Sequence, residues 1–159
     1  MTLEPSGDNT LDNYDKNILR HLSRSGRASW LEISERINLS PSACQRRVTN
    51  LLAKGIIRNF SVSLNQKSIG NQVRAFVQVK VERHSTEAVK TFKETICLLP
   101  EVQSCHQLAG NIDYLLDVTA PDLESYAHFI ETRILTLKAV VDASSSIVLE
   151  EVKAFQNTI

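Results

Sequence analysis

Residues 29–55 read SWLEISERINLSPSACQRRVTNLLAKG, and their spacing predicts two helices separated by a turn with its own stop and start signals. Ser29 is placed to cap the first helix, with Glu32 three residues on as its capping-box partner and Leu31, Ile33 and Ile37 as its apolar residues. Asn38-Leu39-Ser40 breaks that spacing. Ser40 then offers a hydroxyl oxygen to the free N–H groups of a new helix, whose first turn accepts Pro41. From there Cys44, Val48, Leu51 and Leu52 fall at i, i+4, i+7 and i+8, one stripe of a 3.6-residue helix. Ser42, Gln45, Arg46 and Thr49 take the opposite face and Arg47 and Asn50 its flank, while Gly55 supplies a left-handed end.

Two helices joined by so short a turn make a helix-turn-helix, whose second helix enters a DNA major groove roughly 12 Å wide. Gln pairs with adenine and Arg with guanine through two hydrogen bonds each, worth about 1–3 kcal/mol of base discrimination. That chemistry selects Ser40, Ser42, Gln45, Arg46, Thr49 and Asn50 as DNA-contacting candidates, with Arg47 and Lys54 assigned to phosphates. A plain solvated helix face would carry the same side chains. The rest of the chain separates the two readings.

The 159 residues carry no net charge, yet the charge is uneven. Residues 16–70 hold ten Lys and Arg against Glu32 and Glu35, a net of +8, whereas residues 71–159 hold eight bases against twelve acids, a net of −4. A basic module suited to a polyanion is thus joined to a mildly acidic one. There is no run of about 18 apolar residues and no secretion signal, so neither membrane nor export is expected, and the protein should stay in the cytosol. Cys44, Cys97 and Cys105 make an odd count without a C-x-x-C pair, which suits reduced, buried thiols. No metal or cofactor is expected.

Residues 1–10, with Pro5, Gly7, Asp8 and Asn9, read as a disordered tail. Residues 11–25 form the first helix, with Asp12 and Asp15 at its positive end, so the helix-turn-helix domain covers 11–56. Trp30 is expected in its core. Residues 56–64 alternate enough for a strand, and 57–72 are assigned to a wing strand and linker with Arg58 and Lys67 within reach of phosphate. Beyond Gly70, Val73, Ala75, Val77, Val79 and Val81 fill alternate positions of a strand over 73–82. A helix over 86–99 follows, then strands over 102–109 and 112–119 joined at Gly110-Asn111 by a tight hairpin. Asp122 caps a further helix carrying Leu123, Tyr126, Phe129, Ile130, Ile134 and Leu137, and residues 140–152 supply a last strand.

This order predicts an α+β protein: an N-terminal winged helix-turn-helix followed, over 73–159, by a ferredoxin-like βαββαβ domain. Two helices cover one face of its sheet. The other face is expected to pack on a second copy and make a homodimer.

With both halves in view, the chain resembles the Lrp/AsnC family of feast/famine transcription regulators from about residue 11 to residue 153. The resemblance is carried by Leu11-Asp12-Asn13-Tyr14-Asp15, by Leu39-Ser40-Pro41-Ser42 and by Arg47-Val48 with Leu51. Gly55-Ile56-Ile57, Cys105-His106, Gly110-Asn111-Ile112-Asp113-Tyr114, Pro121-Asp122 with Tyr126, and Val148-Leu149-Glu150-Glu151-Val152-Lys153 continue it.

The resemblance implies a cytoplasmic, nucleoid-associated regulator that binds double-stranded promoter DNA and carries a sensing and oligomerising module for an amino acid or related metabolite. It also implies dimers assembled into octamers or similar rings, with the effector held between neighbouring dimers near a G-x-x-D loop, here Gly110 to Asp113. A glycine admits a ligand carboxylate to the backbone, and an aspartate pairs with an ammonium group. Leu108, Ala109, Asn111, Tyr114, Ser144 and Ser145 complete the expected effector site. A simple turn at Gly110-Asn111 and a polar sheet face at the serines are the alternatives. Lys138-Ala139 departs from the Pro-Gly often found before the last strand, which bears on the turn there.

Two other functions stay in play. Tetrapyrrole decarboxylases are similar to this family, but His21, His84, His106 and His128 with Cys105 and Asp113 form no nucleophile, base and orienter set in the sequence. A constitutive DNA organiser without a ligand is the other.

Overall fold

A computed structural model describes residues 11–82, 84–157 and 159. They fall into two compact units, one made of the residues up to Ser63 with those from Lys153 on, the other Leu64–Val152. The expected tail, 1–10, lies outside the described residues.

The first unit holds three helices, α1 (Asn13–Arg24), α2 (Trp30–Ile37) and α3 (Pro41–Ala53). Each begins on a side-chain acceptor that satisfies an otherwise orphaned N–H. Asp12 accepts from the Asp15 amide at 2.8 Å, and Ser40 accepts from the Ala43 amide at 3.2 Å. Ser29 and Glu32 form the reciprocal capping box, the Ser29 amide donating to the Glu32 carboxylate at 2.6 Å. Asn38 ends α2 at φ 55° and Gly55 follows α3 at φ 69°, so both breaks use residues that tolerate left-handed backbone. Ile18, Ile33 and Cys44, one from each helix, are wholly buried and meet in one core with Ile37, Val48 and Leu51. Trp30 departs from expectation: at the start of α2 it is 37% exposed.

Residues 56–64 also depart from expectation, for they form no strand. Residues 58–64 are all exposed, and among the described residues no strand lies alongside them. Alternation alone does not make a ladder; it needs partner N–H and C=O groups.

The second unit contains β1 (Val73–Val81), α4 (Thr86–Ile96), β2 (Val102–Gln107), β3 (Tyr114–Ala120), α5 (Leu123–Phe129) and β4 (Val140–Ile147). The sheet order is β2-β3-β1-β4, antiparallel throughout, which is the ferredoxin-like arrangement. Every second residue of β1, from Val73 to Val81, is buried, together with Tyr114, Leu116, Val118 and Ala120 of β3. Phe92 and Ile96 of α4 and Tyr126 and Phe129 of α5 close over them. Burial of each large apolar side chain there stabilises by about 1.5–3 kcal/mol.

The helix that starts at Asp122 is not uniform: α5 passes into a π turn, Ile130–Ile134, where the Leu135 amide donates to the Ile130 carbonyl at 3.0 Å. The wide turn brings Phe129 and Ile134, five residues apart, to the same buried side. Leu123, expected on the apolar stripe, is 62% exposed instead. Residues 108–113 form an open loop and not a tight hairpin. Its ends are joined by the Leu108 amide donating to the Asp113 carbonyl at 2.8 Å, and Gly110 is not left-handed. Of the cysteines only Cys44 is buried; Cys97 and Cys105 are exposed, contrary to expectation.

Candidate nucleic-acid interface and effector loop

The stripe of Cys44, Val48 and Leu51 fixes the back of α3 and leaves Ser42, Gln45, Arg46, Thr49, Asn50 and Lys54 exposed. The first turn of α3 carries no acid, so its positive dipole end remains open to an anion. Ser40 is engaged as the cap and lies 3.1 Å from the Ser42 hydroxyl. Thr49 donates its hydroxyl proton to the Gln45 carbonyl of its own helix at 3.0 Å.

Arg47 takes a different part from the phosphate contact expected of it. Its Nη1 donates to Asp12 Oδ2 and Asp15 Oδ1, both at 2.8 Å, and the guanidinium lies 5.3 Å from the centre of the Tyr14 ring. The bond to Asp15, then that to Asp12, raises the Arg47 pKa. The Asp15 amide, with Arg47 assisting, holds the Asp12 carboxyl below its ordinary value of 3.8. Arg47 therefore straps α3 to the start of α1 with its charge neutralised. Asp12 and Asp15 are visible as a pair in the sequence, but no local pattern joins them to a residue more than thirty positions away.

Two recesses border the helices. One, of about 220 Å³, is lined by Arg47, Asn50 and Lys54 with Leu11 and Asp15. The other, of about 420 Å³, holds Arg20, His21, Arg24 and Arg36 with no acid in its lining. The sequence supplies those charges to the count, but only the fold gathers them.

The effector candidates separate when placed on the sheet. Leu108, Ala109, Gly110 and Asn111 are exposed on the loop, and a Cβ added at Gly110 would meet nothing within 4 Å. Asp113 faces inward to its own sheet: its Oδ2 accepts from the Val81 amide at 2.9 Å, and its backbone N–H donates to the Val79 carbonyl. It anchors the loop to the end of β1. Tyr114 is 3% exposed, its ring 4.9 Å from that of Phe92, and belongs to the core instead of a ligand wall.

Ser145 pairs with Val77 on the helix-covered face and accepts from the Tyr126 hydroxyl at 2.5 Å. Ser144, opposite Gln78, lies on the other face. That open face also carries Arg74, whose guanidinium donates twice to Asp117, at 2.9 and 2.7 Å, and once to Glu151 at 2.6 Å. Sequence reasoning missed this cluster. Arg74 and Asp117 alternate out of phase with the buried residues of β1 and β3, which was the available signal.

What these units define is a class: a helix-turn-helix DNA-binding protein with a separate α+β module. Residues 11–58 match the model for winged helix-turn-helix DNA-binding and residues 74–158 the model for the Lrp/AsnC ligand binding domain. The leucine-responsive regulatory protein of Escherichia coli strain K12 is 35% identical over 143 residues, covering 90% of this chain and 87% of that one. A transcriptional regulator from Neisseria meningitidis, solved as a complex with L-Met, is 38% identical, with a TM-score of 0.87 over 91% of this chain and 94% of that one. An AsnC family transcriptional regulator from Agrobacterium tumefaciens is 29% identical, with a TM-score of 0.85 over 94% and 96%. The chain belongs to the Lrp/AsnC family of transcription regulators. These relatives are regulators and not enzymes, which sets the decarboxylase reading aside.

Proposed function

We propose that this chain reads double-stranded promoter DNA through α3 and adjusts that activity to an amino acid bound at the 108–113 loop. The observation that carries the reading is the exposed set Ser42, Gln45, Arg46 and Thr49, opposite the buried stripe of the same helix. Gln45 and Arg46 specify bases, Ser42 and Asn50 contribute further hydrogen bonds, and Lys54 with the start of α3 meets phosphate. The effector is an amino acid with an apolar side chain. That choice draws on the L-Met complex of the Neisseria meningitidis regulator and on the leucine response in the name of the Escherichia coli relative.

The exposed loop is half of a site, completed by a neighbouring copy. A homodimer through the open sheet face, assembling further to an octamer or similar ring, supplies that copy and sets two copies of α3 roughly one DNA turn, 34 Å, apart. The protein works in the cytoplasm at the nucleoid. Among the described residues no helix is long and apolar enough to cross a membrane.

Selection of bound sequences from random duplexes tests the DNA reading. A near-palindromic preference is expected, lost at one base position per half-site in Arg46→Ala; a parent without preference, or a variant with the parent's preference, overturns it. Thermal shift with each of the twenty amino acids tests the effector. L-Met or L-Leu should raise the Tm and change DNA affinity, and no response to any of them leaves a constitutive DNA organiser.

A further inference from the structure

Cys97 and Cys105 are the two thiols outside the cores, and the fold brings them to one place. The chain turns back between α4 and β2, so the end of α4 and β2 run in opposite directions. Lys93, in the last turn of α4, donates from Nζ to Gln107 Oε1 of β2 at 3.2 Å. One helical turn beyond Lys93 stands Cys97, a rise of about 6 Å. Two residues before Gln107, on the same side of the strand, stands Cys105, about 6.6 Å away.

The two steps have the same length and direction, so contact between Lys93 and Gln107 sets Cys97 beside Cys105. Cys105 lies opposite the fully buried Leu116 and so faces the side of the sheet that α4 covers. Burial is the first cause that raises the Cys105 thiol pKa, the nearby Cys97 is the second, and the Lys93 ammonium opposes both. Both thiols are nonetheless exposed to reagents, whereas Cys44 is sealed in the helical unit.

We propose that Cys97 and Cys105 form a dithiol site that takes organic disulfides and closes into an intrachain disulfide. One thiolate attacks a sulfur of the reagent, forming a mixed disulfide and expelling one thiolate. The second cysteine, losing its proton, attacks the protein sulfur of that mixed disulfide and expels the other. Two protein thiols are oxidised and one reagent disulfide is reduced to two thiols. Closure needs the Cα atoms within about 7 Å. β2 continues directly into residues 108–113, so closure ties the end of α4 to the strand that carries the loop.

The test uses the reduced full chain and the aromatic disulfide 5,5′-dithiobis(2-nitrobenzoate). Two thionitrobenzoate ions should be released per chain, the second at a rate independent of protein and reagent concentration, with no label retained. Cleavage after Glu101, which separates the two cysteines, should leave the fragments joined until dithiothreitol is added. Cys97→Ser and Cys105→Ser should each release one ion and keep one label on the remaining thiol. Labels retained on both cysteines of the parent, or disulfides only between chains, overturn the proposal.

Discussion

Arg47 and Arg46 are adjacent, and the fold gives them opposite duties. The Arg47 guanidinium is neutralised by Asp12 and Asp15, while Arg46 points its charge into solvent on the exposed face of α3. Arg47→Ala should lower the melting temperature, because it leaves two carboxylates facing each other without their cation, and should leave base preference intact. Arg46→Ala should reverse that pattern, keeping the Tm and losing about 1–3 kcal/mol of discrimination at one base position. Melting curves alongside competition binding against a scrambled duplex separate the two.

The capping carboxylates give a pH dependence at the same scale. Amide hydrogen bonds hold Asp12, Glu32 and Asp122 below their ordinary values of 3.8, 4.5 and 3.8. Their folded pKa values lie beneath the unfolded ones, so the stabilisation is complete above the unfolded values and is lost as pH falls through the folded ones. Melting temperature should therefore hold from neutral pH down to that carboxylate range and drop below it. Asp122→Asn should flatten the drop.

At the scale of elements, the start of α3 depends on one side chain. Ser40→Ala removes the acceptor for the Ala43 amide and should cost about 1 kcal/mol in urea unfolding, the usual price of a lost N-cap. Residues 56–64 show the converse case, a segment with the pattern of a strand and nothing to pair with. Phe60, Val62 and Leu64 are 53%, 75% and 55% exposed. Amides of 58–64 should exchange rapidly in dilute protein, unlike those of Ile56 and Ile57, which donate to the Leu51 carbonyl, and should become protected at concentrations where the dimer forms. Equal exchange at both concentrations would mean that the segment stays unpaired in the assembly.

For the whole molecule, the charge division decides how DNA binding responds to salt. The +8 of residues 16–70 overstates the charge available to a duplex, because Arg47 is neutralised by Asp12 and Asp15. If about six phosphates are neutralised per complex, log K should fall against log salt with a slope near −5. Filter-binding titrations at several salt concentrations read it directly, and a slope near zero would contradict an electrostatic footprint of this size.

The helices, their caps, the alternating core of β1 and the order of elements in the sheet domain follow from the sequence, because periodicity, capping and turn chemistry act between residues a few positions apart. The reading face of α3 was legible for the same reason: a buried stripe at 3.6-residue spacing defines its opposite. What only the tertiary structure decided are the pairings across long stretches of chain. These strapped Arg47 to Asp12 and Asp15, anchored Asp113 to the end of β1, and set Tyr114 in the core. They also set Ser144 and Ser145 on opposite faces and brought Cys97 to the side of α4 that faces Cys105. Local spacing determines which way a side chain points along its own element, and only packing determines what it meets there.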